Sequence, residues 1–248
     1  MKGFFPVYKR ELFSLFVTPT AWALIVVFLV IQGFHFYGLL LHFATSVEVT
    51  VDRGPVQAFF GESIIFYLPL VLLCPGITMR LFAEERRSGT IESLMTAPVT
   101  TTAIVLGKYF AALTTYAAMW APTLLYVVVL RKSGAIDWQV VGTSYLGVML
   151  IGGGYLAIGT LMSAMTQSQL VAIVLSALII LGLFVLGIGE FVFEPGILRD
   201  VSAHVSVWGQ MSEFAKGIVD LRRLVFDGSL IAVPLYITVR AVDAWRWG

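Results

Sequence analysis

The sequence predicts an all-α integral membrane protein with about six transmembrane helices. Three observations carry that prediction. Apolar residues make up 58% of the chain and charged residues 12%, against about 45–50% and about 25% in soluble domains. The apolar residues fall in unbroken blocks, and a helix of about 20 such residues crosses a bilayer. The charges gather in short stretches between the blocks.

In chain order the blocks lie at about 21–41, 63–79, 103–130, 140–164, 170–189 and 224–239. The sixth is interrupted by Asp227, Gly228 and Pro234. Pro69, Pro75 and Pro122 also fall inside blocks; proline is tolerated in membrane helices when neighbours satisfy the freed carbonyls. The N-terminal stretch lacks a short apolar core with a small-residue cleavage site, so it reads as mature protein. Trp22 and Trp138 fall near block ends, where interfacial aromatics belong, and Trp245 and Trp247 follow the sixth block.

Lys and Arg set the orientation. Lys2, Lys9, Arg10, Arg80, Arg86, Arg87, Lys108, Arg240 and Arg246 fall to one side. Arg53, Arg131, Lys132, Arg199, Lys216, Arg222 and Arg223 fall to the other. The early loops contrast most strongly, with Arg53 alone opposing the early members of the first group, Lys2 to Lys108. Both termini are therefore expected in the cytoplasm.

Several function classes are disfavoured. A net charge of +1 gives no case for a nucleic-acid partner. Cys74 is a lone cysteine, so no disulfide framework exists. The three histidines, His35, His42 and His204, have no metal-ligand spacing, and His35 with Gln32 in the first span reads as packing. No G-x-x-x-x-G-K-[ST] loop occurs, and the near-match at Gly107-Lys108 lacks its first glycine and its Ser/Thr. No acidic or basic position suited to a channel ring stands out in a span. No intramembrane catalytic cluster stands out either, so the chain reads as a non-enzyme. Small residues, Gly153 with Ala157 and Ala172 with Ser176, let membrane helices approach closely; packing within one subunit is favoured over a dimer seam.

The informative stretch is TMRLFAEERRSGTIESLMTAPV, residues 78–99. Arg80, Glu84, Glu85, Arg86 and Arg87 follow a span directly. Gly89 allows a turn, Thr90 is a candidate N-cap, and Ile91, Leu94 and Met95 recur at helical spacing before Pro98. That pattern describes a short amphipathic helix at the membrane surface.

This run, followed by IVLGKYFAAL, resembles the signature of type 2 ABC exporter permeases, where an EER-x-G-T-I-E segment seats on the ATPase. YKRELFSLFVTPTAW resembles the N-terminal elbow helix of that family. TQSQLVAIVLSAL resembles its turn into the fifth span, and FAKGIVDLRRLVF its motif before the last. The likeness is strongest to the branch that includes gliding-motility and nitrous-oxide-reductase accessory permeases. One departure is Arg223, where many relatives carry an acid.

The resemblance implies a single permease domain over 1–248 in the bacterial inner membrane. It implies an elbow helix, a cytoplasmic coupling helix and short re-entrant helices before the last span. It assigns ATPase coupling to Glu84, Glu85, Arg86, Arg87, Gly89, Thr90, Ile91, Glu92, Leu94 and Met95, with Ile91 and Leu94 entering an apolar groove and Glu85 and Arg87 at its rim. It points to Lys216, Gly217, Asp220 and Arg222 as an outer motif, in which Lys216 and Asp220, four apart, could pair on one helix face. ATP and Mg would bind the partner, with no cofactor on this chain. The expected partners are ABC ATPase subunits, a second permease chain (identical or paralogous), membrane lipid and an auxiliary periplasmic subunit. Two functions fit: export driven by a separate ATPase, or mechanotransmission that relays ATPase movement to an envelope partner without transport. Almost wholly apolar spans favour a lipid-like or hydrophobic cargo, or no cargo, over a polar sugar.

Overall fold

A computed structural model describes residues 3–45, 54–61, 63–91, 98–133 and 136–245. Among them there are helices and no strands, and six helical stretches are long and apolar enough to cross a membrane. The apolar blocks underestimate each span by a few residues, because polar caps and first turns belong to the helices too.

α1 (Phe4–Val17) is the elbow helix. It buries Val7 and Leu15 and packs against the third span. Thr18 adopts an extended conformation, and Pro19, pre-set for a first turn, opens α2 (Pro19–Thr45), the first span. α3 (Pro55–Gly61) lies in the connection to the second span, where the sequence shows no helical period. It buries Phe59 and Phe60, and the ring of Phe59 stacks on His35. His35 and Gln32 are buried and turned toward each other, 3.4 Å apart, the packing role expected of them.

The second span is α4 (Ile64–Thr78), continued after a turn by α5 (Ala83–Ser88). The third begins as α6 (Thr101–Trp120), whose start is capped by the Thr100 hydroxyl accepting from the Ala103 N–H. Pro122 sits in a single 3-10 turn, Ala121–Thr123, before α7 (Leu124–Ser133). Thr123 donates to the Trp120 carbonyl there at 2.7 Å, re-using a carbonyl at the break.

α8 (Trp138–Met165) is the central post, packed against α4, α6, α9, α11 and α12. Its glycines make this crowding feasible. A side chain at Gly152 would meet the Tyr116 ring at 2.3 Å, and one at Gly154 would meet Leu230 at 2.7 Å. The small residues of this span thus face partners within the same chain. α9 (Gln169–Val192) and α2 lie at the periphery and keep long exposed apolar faces.

Two short helices follow, as expected before the last span. α10 (Ile197–Val205) folds back along α9, and α11 (Val207–Phe214) buries Val207, Gln210, Met211 and Phe214 against α8 and α3. α12 (Leu221–Ala244) is the sixth span, and Pro234 is accommodated within it. The expected Lys216–Asp220 pair on one helix is corrected by the structure. Gly217 takes φ +80 and the Ile218 N–H returns to the Glu213 carbonyl. That is a glycine-terminated helix end, so α11 stops before Lys216. Asp220 begins a new helix by accepting from the Arg222 N–H at 2.9 Å.

Candidate functional site

The charged segment after the second span sits where five elements converge. Glu84, Glu85, Arg86 and Arg87 all lie on α5, and Gly89 ends it with φ +71, the turn expected of it. The helix start is built into the bundle. Ser163, buried near the end of α8, accepts from the N–H groups of Phe82 and Ala83 at 3.1 and 3.2 Å. It donates to the Met79 carbonyl at 2.9 Å. First-turn N–H groups have no partner inside their own helix. One hydroxyl therefore supplies the cap that the local sequence, Leu81-Phe82, does not.

The charges divide by direction. Glu85 and Arg86 turn inward. Lys108 of α6 is only 1% exposed, and its Nζ lies 3.0 Å from Glu11 Oε2 of the elbow helix and 3.0 Å from Glu85 Oε2. It also donates to the Leu81 carbonyl at 2.6 Å and lies over the Phe82 ring. Glu85 Oε1 in turn accepts from Arg10 at 3.2 Å. A buried ammonium is costly unless paired and hydrogen-bonded, and this one has two carboxylates and a carbonyl. Arg86 donates to the Ala164 carbonyl at 2.9 Å and stacks over Trp245, 4.5 Å from its ring centre. Arg80 bridges back to Thr20 at 3.0 Å and pairs with Glu84 at 3.1 Å.

Glu84, Arg87, Ser88, Gly89 and Thr90 stay exposed, with Ile91 partly buried. The Thr90 hydroxyl meets that of Ser88 at 2.9 Å. Glu92, Leu94 and Met95 lie outside the described residues, as do the N–H groups that Thr90 would cap. The sequence places Lys108 among the loop charges, whereas the structure buries it in the bundle. Neither Lys108 nor Ser163 carries a local signal that would have marked it.

The outer motif resolves differently. Lys216, Asp220 and Arg222 are exposed, and Gly217 is a helix terminator. The residue that gathers the region is Arg223. It pairs with Glu213 at 3.3 Å through two nitrogens, and donates to the carbonyls of Ala203 and His204. It thus ties α10 and α11 to the start of α12. One turn further, buried Asp227 accepts from the Gln210 amide, joining the sixth span to α11. Among the described residues no group of His, Cys, Asp and Glu is arranged to hold a metal.

A comparison with the curated proteins finds no match. The sequence model of the ABC-2 family transporter protein matches residues 45–208, more than half of the chain. That region takes in the charged segment, the central post and α10. The protein therefore belongs to the ABC-2 family and is a multi-pass membrane component of an ABC transporter, a family that works with an ABC ATPase.

Proposed function

We propose that this chain is the permease subunit of an ABC exporter and that residues 84–95 form its docking site for the ATPase. The observation that carries the reading is the bracing of α5. Through Ser163, Lys108, Arg86 and Arg80 it is fastened to the ends of four spans and to the elbow helix, while Arg87, Ser88 and Gly89 point outward. A partner that pushes on this helix moves the bundle rather than a slack loop. In this reading α5 and both termini lie in the cytoplasm of a bacterial inner-membrane protein. ATP and Mg bind the ATPase, and two permease chains, identical or paralogous, complete the path. Ile91, Leu94 and Met95 supply the apolar contact and Arg87 its rim, with Glu85 serving inside the chain.

A second reading has its own support. Arg223 and Asp227 bind the outer helices firmly to the sixth span, and α10 leaves Ile197, Leu198 and Val201 exposed. That platform suits a mechanotransmitter acting on an envelope partner, as in the gliding-motility branch. Efflux of a hydrophobic reporter from energised vesicles, abolished by an inactive ATPase, decides for export.

The docking test is capture of the ATPase by tagged chain. Truncating buried interface anchors typically costs about 2 kcal/mol or more each. The combined Gly89→Val, Ile91→Ala, Leu94→Ala variant should insert normally and lose the ATPase. Normal capture would place the docking surface elsewhere.

A further inference from the structure

The outward stripe of the elbow helix carries an exposed cation, Lys9, and an exposed ring, Phe13, that the bracing of α5 does not use. Pro6, Lys9, Arg10, Phe13 and Phe16 follow one another along α1 at helical spacing and line one shallow hollow. Lys9 is exposed and its side chain makes no hydrogen bond or ion pair among the described residues. Phe13 is 70% exposed, an unusual setting for a large ring unless something apolar covers it. The opposite face, with Val7 and Leu15, is the one buried against the bundle. Trp22, exposed at the start of the first span, donates its indole N–H to the Phe16 carbonyl at 2.8 Å and marks the lower end of the stripe as membrane-interface depth.

We propose that this stripe binds an anionic phospholipid, its phosphate at Lys9 and Arg10 and an acyl chain across Phe13 and Phe16. The charge complementarity is direct, since two cations stand in the middle of an apolar strip at the membrane surface. Helices of this composition lie in the interface with their aromatics in the acyl boundary. Arg10 also pairs with Glu85, whose other oxygen meets Lys108. A phosphate at Arg10 therefore touches the same network that braces α5. The proposal needs only that α1 lies at the membrane surface, and it stands apart from where the ATPase docks.

The test uses the full chain in bilayer discs carrying trace photoactivatable phosphatidylglycerol or phosphatidylcholine, with cross-links mapped by mass spectrometry. The phosphatidylglycerol probe should label residues 4–17 preferentially. Each cation near an anionic headgroup is worth about a fivefold change in occupancy, so Lys9→Gln should cut that labelling about fivefold. Lys132→Gln, an exposed cation on α7, should leave it unchanged. Because the Lys9 side chain is exposed and makes no hydrogen bond or ion pair among the described residues, its variant keeps the fold, and an unaltered melting temperature verifies this. Equal labelling by the two lipids, or undiminished labelling of Lys9→Gln, overturns the proposal. Loss of labelling when the ATPase is added assigns the stripe to the ATPase and overturns it equally.

Discussion

Lys108 Nζ stands 3.0 Å from Glu85 Oε2, and the two residues join the third span to the charged helix after the second. With Glu11 equally close to the ammonium, the elbow helix shares the same junction. One buried cation thus holds three elements together.

Removing that cation leaves two largely buried carboxylates facing each other. Breaking a buried pair from one side typically costs about 3–5 kcal/mol. Lys108→Met should therefore lower the melting temperature of the purified chain sharply, and adding Glu85→Gln and Glu11→Gln should restore part of the loss. A single variant as stable as the parent would show that the junction contributes nothing.

Ser163 gives a second test of bracing. Ser163→Ala strands two N–H groups and one carbonyl at the start of α5, and each unsatisfied buried group costs about 1–3 kcal/mol. Hydrogen exchange should accelerate over residues 79–88. Ser176→Ala, whose hydroxyl only returns to its own helix at Ala172, should change little.

Close packing around α8 predicts a contrast between glycines. Gly152→Ala drives a methyl into the Tyr116 ring, and that ring is held by its hydroxyl on the Val148 carbonyl at 3.1 Å. Overpacking of this kind costs about 1–3 kcal/mol. Gly142→Ala and Gly182→Ala meet open space and should leave the melting temperature unchanged. Comparable losses at all three positions would contradict the packing.

Much of this architecture is legible in the sequence because its cause is local. An unbroken apolar block is a span whatever surrounds it, and Gly89 predicts its own turn. The expected elbow helix and the short helices before the last span are present too. The failures share a different cause. Lys108 reads as a loop charge because its carboxylates are on Glu11 and Glu85, far away in sequence. Arg223 reads as a departure from a motif, yet Glu213 and two carbonyls of α10 make it the organiser of the two short helices before the last span. Lys216 and Asp220 have helical spacing, but Gly217 between them ends one helix before the next begins. α3 is not legible in the sequence, because seven residues are too few for periodicity to stand out.

The proposed placement of α5 at the cytoplasmic face, with both termini, makes a topological prediction. Cys74 is buried, so it leaves a quiet background for thiol labelling. In intact cells an impermeant maleimide applied from the periplasm should label Lys132→Cys and spare Arg87→Cys. Labelling of Arg87→Cys from that side would invert the topology and put the proposed docking site out of reach of any cytoplasmic ATPase.

The last prediction separates holding the charged helix from using it. Glu85 is turned inward onto Lys108 and Arg10, whereas Arg87 on the same helix is exposed. If α5 serves as a braced docking element, the two residues fail differently. Glu85→Gln should lower the melting temperature of the isolated chain, because it weakens a largely buried ion pair, and should weaken ATPase capture only in step with that loss. Arg87→Glu should leave the melting temperature unchanged, since an exposed single charge contributes little to stability. It should still slow ATPase association, because a reversed rim charge acts mainly on the on-rate and does so most strongly at low salt. The measurement pairs thermal unfolding of each variant with ATPase binding kinetics at two ionic strengths. Arg87→Glu binding as fast as the parent at low salt would mean that the outward face of α5 meets no partner, and the bracing would then serve only the fold.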